Sequence, residues 1–283
     1  MKISAKILIL VGLILAVALS GCLGGDDTGN NTTNNTTNNT TNNTTNDTVA
    51  SHFYKNVTLS DNDTVLSFEF TANPSTGYDW TLTKNLTGIL NQTADSTKTS
   101  SSVTAVHKVG TPIVHIWSFK GNQPGIVELN FVYNRSFEDD TTVENLTYVI
   151  EVKDDKSMKI LSVSSPNGNL LPLYKQTTLE NSDTTLKMVF ESNPTTGYDW
   201  NVSVTPAGTL NMTRDDFDAP GTGMAGAPGV HVFEFEGLKA GSAKVTLSYL
   251  RSFEAGSTIE NVVYGVNVHE NKTLEIVSIS YGI

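Results

Sequence analysis

The sequence predicts an all-β protein in which two tandem β-sandwich modules follow an N-terminal apolar segment and a polar linker. Three observations carry that prediction. From residue 51 onward, short runs alternate apolar and polar residues with a period of two, and Gly, Pro, Asn and Asp cluster between them. The stretch Asn193-Pro194-Thr195-Thr196-Gly197-Tyr198-Asp199-Trp200 occurs twice; its partner is Asn73-Pro74-Ser75-Thr76-Gly77-Tyr78-Asp79-Trp80. Beyond the apolar segment, no stretch has helical spacing.

The first 21 residues read as a signal peptide. Lys2 and Lys6 precede an uncharged apolar run from Ile7 to Leu19; a short membrane-spanning helix is the competing reading, since no charge appears until Asp26, and the residues from Leu19 to Cys22 decide between them. Leu19-Ser20-Gly21-Cys22 resembles the lipobox of prokaryotic lipoproteins. That resemblance implies cleavage before Cys22 and a lipid on its thiol, hence membrane attachment and a cell-surface location. Cys22 is the only cysteine, so the body of the protein has no disulfide, thiolate metal site or cysteine nucleophile. Residues 22–50 read as an unstructured linker. From Asp26 to Thr48 the chain is Gly, Asp, Asn and Thr, with nothing apolar to bury. Its repeated Asn-x-Thr sequons suit a glycosylated stalk.

The formal charge of −11 becomes −13 once Lys2 and Lys6 leave with the signal. So acidic a chain does not suit nucleic acid or an electrostatic grip on anionic lipid.

The two modules are expected at residues 51–166 and 170–283. Strands are expected around Val65, Phe68 and Phe70, and over 113–119, 126–133 and 146–152. Their counterparts lie at 186–190, 230–235, 243–249 and 262–268. Trp80 matches Trp200 at an offset of 120, whereas His115 matches His231 and Arg135 matches Arg251 at 116. The first copy therefore carries four extra residues between Trp80 and Gly110. Each copy is about 115 residues long, the size of an immunoglobulin-like sandwich.

The duplicated stretch is a pre-set loop feeding a strand. Pro194 fixes its own φ and keeps Asn193 out of the helical region. Gly197 permits a positive φ, and the Asn and Thr side chains can bond to nearby backbone. Tyr198 and Trp200 then fall on one face and Asp199 on the other. The aromatics read as core, leaving the loop tip as the candidate working part.

Three loop motifs follow in order in the second copy: Asn193-Pro194-Thr195-Thr196-Gly197-Tyr198, then Gly226-Ala227-Pro228-Gly229, then Arg251-Ser252-Phe253. In type, order and spacing they resemble the chagasin family of cysteine-peptidase inhibitors, and the resemblance spans nearly all of both modules. It implies immunoglobulin-like sandwiches with three loops at one end, and papain-like cysteine peptidases as partners. Thr195, Thr196 and Gly197 would enter the catalytic cleft. Gly226 and Gly229 would bring backbone close to the enzyme, and Arg251 and Phe253 would anchor the rim. In the first copy the corresponding residues are Asn73, Pro74, Ser75, Thr76, Gly77, Arg135 and Phe137.

Ser252 and Phe253 stand where the family has Pro and Trp, and Pro228 replaces a Gly. The first copy departs further: its second loop reads Gly110-Thr111-Pro112-Ile113, and Asn134-Arg135-Ser136 is a sequon on the proposed contact edge. The second copy is therefore expected to be the better inhibitor.

An enzyme is disfavoured. The five histidines form no metal-ligand or nucleophile pattern, and no cofactor is implied. His115 and His231 are expected as packing or surface residues, and Asp139-Asp140 and Asp215-Asp216 as solvated loop charges. The remaining alternative is a non-inhibitory adhesive or structural surface module.

Overall fold

The computed structural model describes residues 55–60, 62–84, 86, 88–99, 112–139, 141–165, 174–179, 183–219, 221 and 226–282. The signal segment, Cys22, the linker, and Gly110 and Thr111 lie outside them.

The first copy contributes β1 (Lys55–Leu59), β2 (Val65–Ala72), β3 (Asp79–Lys84), β4 (Leu90–Thr99), β5 (Ile113–Gly121), β6 (Gly125–Asn134), β7 (Glu144–Val152) and β8 (Met158–Ser164). The second contributes β9 (Tyr174–Leu179), β10 (Thr185–Ser192), β11 (Asp199–Thr205), β12 (Leu210–Asp218), β13 (Gly229–Gly237), β14 (Gly241–Leu250), β15 (Glu260–Val268) and β16 (Leu274–Gly282). Period-two patterning decides which side chains face inward. Along β7 and β15 every second residue is buried, and the polar residues between them point outward. The inward faces bring Phe68, Phe70, Trp117, Phe131 and Tyr148 together in one copy. In the other, Phe190, Trp200, Phe233, Phe235 and Tyr264 line the interior.

The strands form two sheets, ordered β11-β14-β15-β16-β1-β2-β5-β4 and β12-β13-β10-β9-β8-β7-β6-β3. Each sheet therefore runs through both modules. β1 pairs with β16 (Val57 opposite Ile279), and β8 pairs with β9 (Val163 opposite Thr177). The two immunoglobulin-like sandwiches are joined edge to edge into one double-width sandwich. The pairings cover strand edges that would otherwise expose unpaired N–H and C=O groups. Side chains reinforce the seam: Lys55 Nζ lies 4.9 Å over the Tyr281 ring, and Lys159 Nζ lies 3.0 Å from Asp183 Oδ1.

All the paired neighbours are antiparallel, which fixes where the connections emerge. The β2–β3, β4–β5 and β6–β7 connections leave one end of the first module. The β10–β11, β12–β13 and β14–β15 connections leave the same end of the second. One residue pair departs from the sequence expectation. Asp215 and Asp216 belong to β12 rather than a loop, because β12 pairs along β13 through Asp215 opposite Phe233 and Asp216 opposite Val232.

Candidate functional site

The loop between β10 and β11 is a single turn of 3₁₀-helix, Pro194–Thr196, closed by Gly197 at φ 82°. The Gly197 N–H donates to the Pro194 carbonyl at 2.9 Å, and the Thr196 N–H to the Asn193 carbonyl at 3.0 Å. Side chains complete the turn. Thr196 Oγ1 donates to the Asn193 carbonyl at 2.7 Å, and Thr195 Oγ1 to Asn193 Oδ1 at 2.6 Å. The conformation is thus over-determined by its own residues, while Pro194, Thr195 and Thr196 remain exposed.

The aromatics behind the turn aim it. Trp200 is buried, packs on Phe190 at 4.4 Å, and its indole N–H donates to the Glu191 carbonyl at 2.8 Å. The strand leaving the loop is thereby tied to the strand entering it, across the two sheets. Tyr198, half-buried, stacks on Tyr249 at 5.5 Å.

The other two loops touch this turn. Asn193 Nδ2 donates to the Gly226 carbonyl at 3.0 Å. Gly226 holds φ 81° and lies so close that a Cβ there would stand 3.8 Å from Thr195 Oγ1. On the opposite flank, the Arg251 guanidinium lies 4.4 Å over the Tyr198 ring and bonds Glu254 Oε2 at 3.0 Å. The Phe253 ring covers Gly197: a Cβ on that glycine would come within 3.0 Å of Phe253 Cζ. Phe253 is nonetheless 76% exposed, so it offers its outer face to solvent. The residues expected at the site, Asn193 to Tyr198, Gly226, Arg251 and Phe253, are thus brought together. Gly229 stands at the start of β13, where a Cβ would strike the Asp218 carbonyl and the Phe217 ring at 2.5 Å; its smallness serves strand packing.

The first module repeats the arrangement. Pro74–Thr76 form the turn, Gly77 holds φ 84°, Ser75 and Thr76 hydroxyls donate to Asn73, and Arg135 lies 4.6 Å over the Tyr78 ring. Phe137 covers Gly77 and is 76% exposed.

Sequence reasoning missed a feature directly beneath the turn. His231 Nδ1 lies 2.9 Å from Asp199 Oδ1, and its Nε2 lies 2.7 Å from Asp215 Oδ1. The same Asp199 oxygen accepts from Ser192 Oγ at 2.7 Å and from the Trp200 N–H at 2.8 Å. Burial pushes the Asp199 carboxyl up, but the bonds from His231, Ser192 and Trp200 outweigh it and hold the group below its ordinary range. In the first module His115 lies 3.6 Å from Asp79 and 3.2 Å from Asp95. Burial pushes His115 down, and the bonds and charges of the two aspartates more than reverse that, leaving it above its ordinary value. The available signal was that His and Asp recur at matching positions in both copies.

Among the described residues, no group of three or more His, Cys, Asp or Glu is placed to hold a metal ion.

The family model for "Chagasin family peptidase inhibitor I42" matches residues 59–152 and 181–268. Amoebiasin-2 of Entamoeba histolytica is 31% identical over 84 residues, 29% of this chain and 68% of that protein. A crystal structure of the cysteine protease inhibitor EhICP2 from the same organism shares 30% identity. It covers 30% of this chain and 78% of its own, with a TM-score of 0.28.

Proposed function

The chain belongs to the chagasin family of peptidase inhibitors, and from that premise we propose that it blocks the active-site cleft of papain-like cysteine peptidases with the loop end of its second module. Members of this family are inhibitors, not enzymes. The observation that carries the loop assignment is the convergence of two neighbouring loops on one exposed turn, through Asn193 to Gly226 on one side and Phe253 to Gly197 on the other.

A turn fixed by its own hydrogen bonds loses little entropy on docking, so its contacts translate more fully into affinity. Thr195, Thr196 and Gly197 form the wedge and lead with hydroxyls and backbone. Arg251 and the exposed ring of Phe253 are anchors of the types that dominate interface energies. The wedge fills the cleft without presenting a scissile bond to the peptidase thiolate.

The second module is the stronger inhibitor in this reading. Its wedge is braced by Ser192 and by shorter His–Asp contacts than those in the first module. A glycan on Asn134 would further encumber the first. The reading of residues 1–50 rests on sequence alone: export, a lipid on Cys22 and a glycosylated stalk would present the inhibitor at the cell surface. Peptidase activity titrated with the full chain and with Thr195→Trp tests the assignment. Undiminished inhibition by the variant would remove the wedge from the interface.

A further inference from the structure

We propose that Asn91, Asn201 and Asn211 carry N-linked glycans that cap the open edges of the double-width sandwich and keep copies of the chain from pairing edge to edge. The modification rests on export of the chain, proposed above; the geometry of the edges does not.

Fusing the two modules leaves four terminal strands. β11 and β4 end one sheet, and β12 and β3 end the other. Among the described strands each of these has a neighbour on one side only, so a row of its N–H and C=O groups faces outward as a template for another strand. All four carry or adjoin an Asn-x-Ser/Thr sequon. Asn91-Gln92-Thr93 lies in β4, Asn201-Val202-Ser203 in β11 and Asn211-Met212-Thr213 in β12, while Asn85-Leu86-Thr87 follows β3 directly. Asn91, Asn201 and Asn211 are exposed, as are Thr93, Ser203 and Thr213. The preceding residues Leu90, Trp200 and Leu210 are buried, so the three amides project from the outer face.

Pattern separates these sequons from chance. Leu90-Asn91-Gln92-Thr93 and Leu210-Asn211-Met212-Thr213 stand at the same 120-residue offset as Trp80 and Trp200, and no other sequon of residues 51–283 recurs between the copies. Both fall where the ladder shifts register, between Gln92 and Ala94 and between Met212 and Arg214. Each bulge leaves the threonine of the sequon without a residue opposite it. At the wedge tips the motif is broken: Asn73-Pro74-Ser75 and Asn193-Pro194-Thr195 have the outer residues of a sequon, but the central Pro excludes transfer. Asn62 and Asn271 lie in the β1–β2 and β15–β16 turns, at the end opposite the loops. Sugars at the edges and at those turns leave the loop end of the second module bare.

β11 has the most to gain from a cap. From Trp200 to Thr205 it carries no charge, sets half-buried Val202 and Val204 between exposed polar residues, and pairs with β14 without a bulge. A short, uncharged, β-prone edge is the pattern of an aggregating strand. β12, by contrast, carries Arg214, Asp215, Asp216 and Asp218 beside its bulge. A strand from another copy must come within about 4.8 Å to pair, and a bulky sugar on Asn201 excludes that approach. Transfer joins the asparagine Nδ2 to the anomeric carbon of an oligosaccharide borne on a polyprenyl phosphate. The carbon–oxygen bond to phosphate breaks, the lipid phosphate leaves with that electron pair, and the amide gives up one proton to a base of the transferase.

The full-length chain, made in a host that N-glycosylates exported proteins and recovered from its membranes, tests this by glycopeptide mass spectrometry. Peptides holding Asn91, Asn201 and Asn211 should carry added sugar mass. Peptides holding Asn56 and Asn145, half-buried on the interior strands β1 and β7, should not. Sugars on the sequons of residues 22–50 with Asn91, Asn201 and Asn211 bare would overturn the proposal and leave export standing. A chain bare throughout and still holding residues 1–21 would overturn both. Sedimentation velocity in mild detergent then reads the cap. Asn201→Gln and Ser203→Ala each delete the sequon through a different residue, whereas Ser203→Thr keeps it. The first two should shift the glycosylated chain toward faster-sedimenting species, and Ser203→Thr should sediment as wild type. In a host without the transferase, all three should sediment as their unglycosylated parent. Glycosylated chains whose sedimentation ignores Asn201→Gln and Ser203→Ala would overturn the capping role.

Discussion

Asn193 donates its side-chain amide to the carbonyl of Gly226 at 3.0 Å, locking the wedge loop to its neighbour across 33 residues of chain. The other end of the same side chain accepts from Thr195. One residue thus sets both the internal shape of the turn and its lateral position.

Asn193→Ala removes both bonds, each worth about 1 kcal/mol net. Inhibition should weaken roughly tenfold to thirtyfold, given about 1.4 kcal/mol per decade. The loss should appear as faster dissociation, because most interface mutations act on that step. Stopped-flow progress curves against a papain-like peptidase would measure it. Asn73→Ala in the first module should change inhibition far less.

Gly197→Ala should cost about 1–2 kcal/mol, because an L-residue is strained at φ 82°. The new Cβ would also press on Phe253 at 3.0 Å, so the anchor ring must shift. Gly208 has the same φ of 82° but nothing within 4 Å of a built Cβ. Gly208→Ala therefore isolates the backbone strain. Urea denaturation should find the two variants about equally destabilised, while only Gly197→Ala loses inhibition.

The shared sheets make the two modules one folding unit. The full chain should unfold in a single cooperative transition, with calorimetric and van't Hoff enthalpies in agreement. Tyr281, buried at the seam beneath Lys55, is the sharpest probe. Tyr281→Ala should lower stability by about 3–5 kcal/mol, as for other buried aromatics, and lower it for the whole molecule. Two separate transitions would show that the seam contributes little.

The perturbed groups give a pH signature with a defined sign. The folded-state value of His115 lies above its ordinary one, so its stabilisation is complete below the unfolded value and is lost as pH rises through the raised one. Asp199 is depressed, so its contribution is present above the unfolded carboxylate value and is lost as pH falls through the lowered one. The two overlap in the mildly acid range. The stability difference between wild type and His115→Gln should shrink from about pH 5 to about pH 8, in urea melts at both.

Much of this was legible in the sequence because it is local. The period-two runs located β2, β5, β6 and β7 and their counterparts β10, β13, β14 and β15, and the Asn-Pro-Thr-Thr-Gly-Tyr stretch carries in its own residues the reasons for its shape. Gly197 at positive φ and Trp200 in the core follow directly. The seam was not legible, since β1 and β16 lie at opposite ends of the folded region and a strand's pattern does not name its neighbour. His231 packs on Phe233 as a packing residue should, and Asp215 is solvent-exposed as expected, but Asp215 lies in β12 rather than a loop, and the contacts of His231 with Asp199 and Asp215 were not legible because they are assembled from three strands on two sheets. The polar run of β12 hid its alternation: Arg214, Asp216 and Asp218 form one row, and Asp215 and Phe217 the other.

Whether the wedge of the second module closes a papain-like active site is decided by titrating an active-site-counted papain-like peptidase with the full chain, wild type beside Thr195→Trp and Ser75→Trp. Wild type and Ser75→Trp should give a tight stoichiometric endpoint, and Thr195→Trp should lose it at unchanged thermal stability. An endpoint that survives Thr195→Trp and disappears with Ser75→Trp, or full peptidase activity at every ratio of wild-type inhibitor, would rule out that role for the wedge.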